Sequence, residues 1–182
     1  DDCDDSNPSL GHQNSDNDCD GILSEDDCNV NDPTVFLCEH DLELDGGFSL
    51  SSVRLPSGEF VMGSPEEEIG RNDDETPHNV TLSHAFYVSK TEITQGMFFQ
   101  LMGYQSHGGY PAFGGLGDDY PAYYVSWHMA AAFANQATLK HNQQHGSTLT
   151  DCYSCIGADA LVACSEIIEP YECDGYRLLT EA

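Results

Sequence analysis

The stretch from Leu55 to Met102 decides the fold, and it reads LPSGEFVMGSPEEEIGRNDDETPHNVTLSHAFYVSKTEITQGMFFQLM. Apolar and polar residues alternate in it, most clearly at Val80 and Leu82 and again at Phe86 and Val88. An alternation of period two is typical of strands that bury one face. Three short strands are therefore predicted, at residues 59–62, 79–83 and 86–91.

A helix is predicted directly after the third strand. Thr94 can accept a backbone N–H of its first turn, and Gly103 can end it. Its apolar face is formed by Phe98, Leu101 and Met102. Gly96 lies inside this helix at a cost of roughly 1 kcal/mol relative to alanine, so packing must hold the segment.

Several motifs of the chain resemble those of one known family. They are GEFVMGSP at 58–65, DETPHNVTL at 74–82, FYVSKTEITQ at 86–95, PAYYVSWHMAAAFAN at 121–135 and GYRLLTEA at 175–182. Their order resembles that of the formylglycine-generating-enzyme, or sulfatase-modifying-factor, family. The resemblance covers about residues 53–182. It implies an irregular, loop-rich α+β domain, similar to C-type lectin folds, of which this chain holds an incomplete copy.

The resemblance implies two alternative functions. Family enzymes are copper-dependent oxidases that convert a cysteine of a sulfatase to formylglycine, and the chain could be a fragment of one. The family's catalytic cysteine pair belongs to the C-terminal half of the fold, and no residue here matches it. Met129 and Leu179 also replace an aspartate and a proline that are usual in the family. We therefore favour a non-catalytic binding or structural module, and we expect no oxidation of peptide cysteines by this chain.

Charge limits the partners. The chain of 182 residues has a formal net charge of −27 and only five lysines and arginines. This balance argues against nucleic acids and anionic membrane surfaces, and it makes cations the natural partners. The sequence contains no apolar run near the roughly 20 residues that cross a bilayer, so membrane insertion is not expected.

The first 35 residues form acidic Asp/Cys repeats. DDCDDSNPS at 1–9 aligns with DDCNVNDPT at 26–34, and the segment DNDCDG at 16–21 lies between the two copies. Alternate carboxylates followed by a glycine resemble the first half of an EF-hand-type loop, and the segment as a whole resembles the calcium-binding type-3 repeats of thrombospondins. The predicted Ca²⁺ ligands are Asp16, Asp18, Asp20, the carbonyl of Ile22, Ser24 and Asp27.

The eight cysteines fall into two groups of four. The first group is Cys3, Cys19, Cys28 and Cys38, and the second is Cys152, Cys155, Cys164 and Cys173. Their spacing does not give the two close pairs of a zinc site, so disulfides are the favoured interpretation for all eight, with the second group paired within itself. The pairing inside a group stays open. Disulfides indicate a secreted or cell-surface protein, of a bacterial type by its resemblance. Asn79 begins the sequon Asn-Val-Thr and is a predicted glycosylation site.

Two further segments hold candidate site residues. The loop at 103–124 is rich in glycine and aromatic residues, which either line a sugar or peptide site or pack the loop; packing is the favoured alternative. The aromatic residues are Tyr104, Tyr110, Phe113, Tyr120, Tyr123 and Tyr124. A second helix is predicted from Trp127 to about His141, with Ser126 as its cap and Gly146 as its stop. His141 and His145 have the spacing of a metal pair, but without a third ligand we favour solvated histidines.

The sequence predicts three segments, and it predicts that the protein is truncated at both termini. Residues 1–35 are the repeats, 36–52 are a connector that is most flexible at Gly46 and Gly47, and 53–182 are the family domain. The chain begins inside a repeat and stops where Thr180 should cap a further helix. A domain cut in this way would leave the apolar faces of its strands incompletely covered. We expect them to be covered by the rest of a longer parent chain or by other copies of the protein, and association of copies would form a ring or an extracellular fibre.

Overall fold

The structure is a computed structural model, and it describes residues 31, 39–108 and 115–180. The first cysteine group, Tyr110 and Phe113 lie outside the described residues. So do the predicted calcium ligands Asp16, Asp18, Asp20, Ile22, Ser24 and Asp27. The described part of the chain divides into two compact units. The first contains residues 31, 39–40 and 52–90, and the second contains 41–51, 91–108 and 115–180.

Seven strands and two α-helices follow one another along the described chain, in an α+β arrangement. The strands are β1 (Glu39–Glu43), β2 (Ser49–Leu55), β3 (Gly58–Met62), β4 (His78–Leu82), β5 (Phe86–Ser89), β6 (Tyr153–Ile156) and β7 (Ala163–Glu166). The helices are α1 (Gln95–Met102) and α2 (Trp127–His145). One sheet has the order β1-β2-β5, and two hairpins pair β3 with β4 and β6 with β7, all antiparallel where the register is defined. This loop-rich layout confirms the predicted fold class.

The first unit contains the three predicted strands. In the β3–β4 hairpin Phe60 lies opposite Val80, and in the neighbouring sheet Val53 of β2 lies opposite Val88 of β5. The period-two alternation is present, although Val80 and Val88 are half-buried rather than buried. A short hairpin and a short edge strand leave one side open to solvent, which explains the partial burial.

Helix α1 has the predicted caps. The Thr94 hydroxyl accepts a hydrogen bond from the Met97 N–H at 3.2 Å, and Gly103 adopts the left-handed conformation at the other end. Gly96 is explained by packing, because a Cβ there would come within 2.5 Å of the Phe48 ring. The close approach of that ring offsets the helix propensity that glycine lacks.

The hydrophobic core of the second unit forms around α1 and α2. Phe98 of α1 stacks on Phe133 of α2 with ring centroids 5.9 Å apart, and Met129 is buried beside them. Leu42 and Leu50 belong to the same core. The sequence assigned their segment to a connector, whereas the structure shows strands β1 and β2 there, because alternate residues turn inward and these include Leu42 in β1 and Leu50 in β2.

The second cysteine group forms two disulfides, as predicted. Cys152 is bonded to Cys173 and Cys155 to Cys164, and no described cysteine is free. The bonds hold the β6–β7 hairpin and the segment that follows it. The described helices include none with the length and hydropathy needed to cross a bilayer.

Gly175 should not tolerate a side chain. An added Cβ would overlap the backbone oxygen of Thr150 and would lie 3.0 Å from the Thr138 hydroxyl. That hydroxyl accepts a hydrogen bond from the Tyr176 N–H at 2.9 Å, so the backbone cannot move away without losing it. We expect Gly175→Ala to lower the free energy of unfolding by about 2 kcal/mol in urea denaturation.

Gly58→Ala is the matched control for this substitution. No atom lies within 4 Å of the Cβ position at Gly58, so the same change should cost little there or even stabilise the protein through the unfolded chain. Equal urea midpoints for the two variants would contradict the overlap that the structure shows at Gly175.

Candidate binding groove

A groove of about 640 Å³ runs along α2 in the second unit. Five residues of α2 line one wall, and the opposite wall is formed by β6, the residues before it and Ile167. The α2 residues recur at intervals of three and four and therefore occupy one stripe of the helix. The lining residues are Ala132, Asn135, Gln136, Leu139, Asn142, Leu149, Asp151, Tyr153, Ser154, Cys155 and Ile167.

The two asparagines in the groove differ in how their amides are used. Asn142 donates to the carbonyl of Leu149 at 2.9 Å and accepts from the Leu149 N–H and the Ser147 hydroxyl, so it holds the turn after α2. Asn135 donates to the carbonyl of Tyr153 at 2.7 Å, but its Oδ1 is buried and has no partner among the described residues. A buried acceptor without a partner is costly, so Asn135 braces the wall of the groove and does not offer this oxygen at its surface.

The groove also offers exposed polar and apolar groups. Leu139 and Ile167 are 48% and 56% exposed, and the side chains of Gln136 and Ser154 are exposed as well. Asp151 is the only ionisable side chain, apart from Tyr153, among the described residues that line it. Such a surface suits a neutral or cationic ligand that carries both amides and aliphatic groups.

The wall opposite α2 is held rigidly. Both disulfides have a cysteine in or beside β6, and the Ile167 N–H donates to the carbonyl of Cys152 at 3.2 Å. The Tyr153 ring is buried, and its hydroxyl accepts from the Leu178 N–H at 2.9 Å. A wall fixed in this way loses little conformational entropy when it binds a ligand.

Of the four aromatic residues that the structure describes in the 103–124 loop, Tyr104 and Tyr123 are partly buried, whereas Tyr120 and Tyr124 are exposed. Tyr104 meets the edge of Phe98 with centroids 5.5 Å apart, and Tyr123 stacks on His107 at 5.6 Å. Burial, with a smaller effect of the Asp159 charge, raises the pKa of Tyr104 above its ordinary value. Tyr124 differs, since its side chain is 68% exposed and its φ of +55° is uncommon for a residue other than glycine.

The structure also shows where the other predicted site residues lie. Asn79 is exposed on β4, which leaves it accessible for modification. His141 and His145 lie together in the last turns of α2, with ring centroids 4.6 Å apart. The Met129 position, where the family usually has an aspartate, belongs to the buried core.

The groove was not predicted from the sequence. A signal for it was present, because Asn135 and Leu139 lie one turn apart within the predicted second helix and Asn142 follows just after its predicted end. The opposite wall could not be inferred, since it depends on how the cysteines pair.

The family of the chain follows from its sequence match together with this fold. Residues 49–182 match the sulfatase-modifying factor enzyme 1-like domain. The chain belongs to this family, which confirms the resemblance seen in its motifs. The search of curated proteins finds no match for this sequence.

Two solved structures are similar to the chain. Treponema denticola variable protein 1 has 24% sequence identity and a TM-score of 0.49, with 69% of this chain and 41% of that chain covered. PvdO from Pseudomonas aeruginosa has 23% identity and a TM-score of 0.46, with 62% and 49% covered. The chain therefore spans less than half the length of each of these two proteins.

Proposed function

We propose that the chain is a non-catalytic extracellular module that binds an extended peptide in the α2 groove. The observation that carries the proposal is the groove itself, with a helix on one side and a disulfide-braced wall on the other. Disulfides persist in oxidising surroundings such as the cell exterior, which supports the extracellular location.

A peptide fits the chemistry of the groove better than a glycan. The exposed side-chain amide of Gln136 is suited to the backbone N–H and C=O groups of a peptide. Leu139 and Ile167 can hold aliphatic side chains. The exposed aromatic platforms that sugars favour are missing from the described lining, where the one aromatic ring, Tyr153, is buried.

The state of the cysteines supports a non-catalytic role. The four cysteines of the described domain are all used in disulfides that brace its structure. A cysteine oxidase of this family needs reactive thiols to hold its copper, and these four are not available as thiolates. Copper-dependent turnover of a sulfatase-type cysteine peptide by this chain would contradict the proposed role.

The test is a selection of binding peptides from a displayed random library, followed by affinity measurement with purified protein. We expect binders with aliphatic residues and without an excess of acidic ones, because Asp151 repels carboxylates. Gln136→Trp should lower their affinity at least tenfold, since the indole would fill the groove.

Gln143→Trp is the control. Gln143 is exposed on the same helix and does not line the groove, so this variant should bind the selected peptides as the wild type does. The groove would be ruled out as the binding site if both variants lost affinity for the selected peptides equally, or if neither variant lost any.

Calcium is proposed as a second, structural partner of the N-terminal repeats. The proposal rests on the spacing of Asp16, Asp18, Asp20 and Asp27, with the carbonyl of Ile22 and with Ser24. Calorimetry should detect calcium binding that Asp18→Ala weakens at least tenfold, since the substitution removes one carboxylate ligand. No heat of binding in the wild type would refute it.

Modification at Asn79 and assembly with further copies complete the proposed extracellular role. The exposed position of Asn79 on β4 and the half-buried β strands of the first unit support these two features. The mass of the native protein tests the first, and light scattering across a concentration series tests the second. A native mass without glycan would contradict modification at Asn79. A monomer at every concentration would contradict assembly.

A further inference from the structure

His141 and His145 form a close pair of imidazoles at the C-terminal end of α2. They are one helical turn apart, which places both rings on one face. Their ligand nitrogens come within 4.8 Å of each other, close enough to share one metal ion. His145 is exposed and His141 is half-buried, so the pair is open to ions from solvent.

A phenol orients one ring of this pair. The His141 Nδ1 lies 3.3 Å from the Tyr176 hydroxyl, and the rings of His141 and Tyr176 are 5.8 Å apart. A metal-binding histidine commonly uses its other ring nitrogen for a hydrogen bond of this kind, which fixes the tautomer. Because Nδ1 of His141 contacts the phenol, Nε2 is the nitrogen expected to bind the ion.

The surrounding field favours a cation. The C-terminal end of a helix carries a partial negative charge, and His145 lies in the last turn of α2 before Gly146. The chain as a whole carries a formal charge of −27. Two imidazoles this close can donate lone pairs to one ion.

We propose that His141 and His145 bind a divalent transition-metal ion of the Zn²⁺ type, with Tyr176 as the residue that positions His141. Imidazole nitrogen is a preferred donor for Zn²⁺ and a poor one for Ca²⁺, so this site is chemically distinct from the proposed calcium ligands. Water completes the coordination sphere of the ion beyond the two imidazoles. This proposal replaces the interpretation from the sequence, which favoured solvated histidines at these two positions. It is independent of the proposed peptide binding in the groove.

The test is a calorimetric titration of the full chain with Zn²⁺ in the presence of millimolar Ca²⁺, which occupies sites built from oxygen ligands. We expect one saturable Zn²⁺ site that His145→Ala abolishes. Tyr176→Phe should weaken it roughly tenfold, the scale of losing a hydrogen-bond partner of a metal ligand. Nitrogen-15 NMR of the rings should show Zn²⁺ bound at Nε2 of His141.

His84→Ala serves as the control, because His84 is an exposed histidine of the first unit. It should leave the Zn²⁺ affinity unchanged. His145→Ala decides the outcome, since an exposed side chain can be removed without harm to folding. If this variant binds Zn²⁺ as tightly as the wild type, or if His84→Ala is the variant that loses binding, the proposal is overturned.

Discussion

Phe98→Ala is expected to lower the free energy of unfolding by roughly 3–5 kcal/mol, the range for removing a buried aromatic ring. Phe98 is only 2% exposed and lies at the centre of the core between Phe133 and Tyr104. Alanine would leave a cavity bounded by those two rings, which the surrounding residues can close only in part. Urea denaturation followed by circular dichroism measures the loss.

Phe99→Ala is the control from the neighbouring position. Phe99 is 41% exposed, so the same change should cost less than about 1.5 kcal/mol, since less apolar surface is lost. If the two variants unfold at the same urea concentration, α1 does not present the face to the core that the structure shows.

The second large effect is expected at the Cys152–Cys173 disulfide. Replacing both cysteines by alanine should lower the free energy of unfolding by roughly 3 kcal/mol, because the bond closes a loop with a sequence separation of 21. Cys152 is also buried in the core, so its loss removes packed sulfur as well as the cross-link. Urea denaturation under non-reducing conditions gives the value.

The Cys155–Cys164 pair provides the comparison. Its sequence separation is 9, so the corresponding double alanine variant should lose roughly 2.5 kcal/mol and less than the first. The reverse order of stabilities would show that strain or structure in the unfolded chain outweighs loop length.

The sequence was most informative where structure is set locally. The caps of both helices could be predicted from Thr94, Gly103, Ser126 and Gly146, because each acts on a turn within four residues of itself. The family and the fold class could be predicted from short motifs in order. The extent of α2 was underestimated by one turn, since His145 rather than His141 ends it.

The sequence was least informative where the chain meets itself at long range. In the segment at 41–46, the alternation of Leu42 and Leu44 with acidic residues is a weak strand signal. The acidic residues and the following Gly46 nevertheless favoured a connector. Disulfide pairing and the groove depend on three-dimensional proximity, so the spacing of Cys152 to Cys173 could not decide them.

The leucines of β1 and β2 have a consequence for the rate of folding. Residues 41–51 belong to the second unit, whose remaining residues begin at 91. The core of that unit can therefore assemble only when the two ends of the intervening segment, residues 52–90, come together as a closed loop. Closing a loop of that length costs about 3 kcal/mol of chain entropy before any core contact compensates. Contacts between residues so distant in sequence slow folding. During synthesis, Leu42 and Leu50 cannot form their core contacts until Phe98 and Phe133 have left the ribosome.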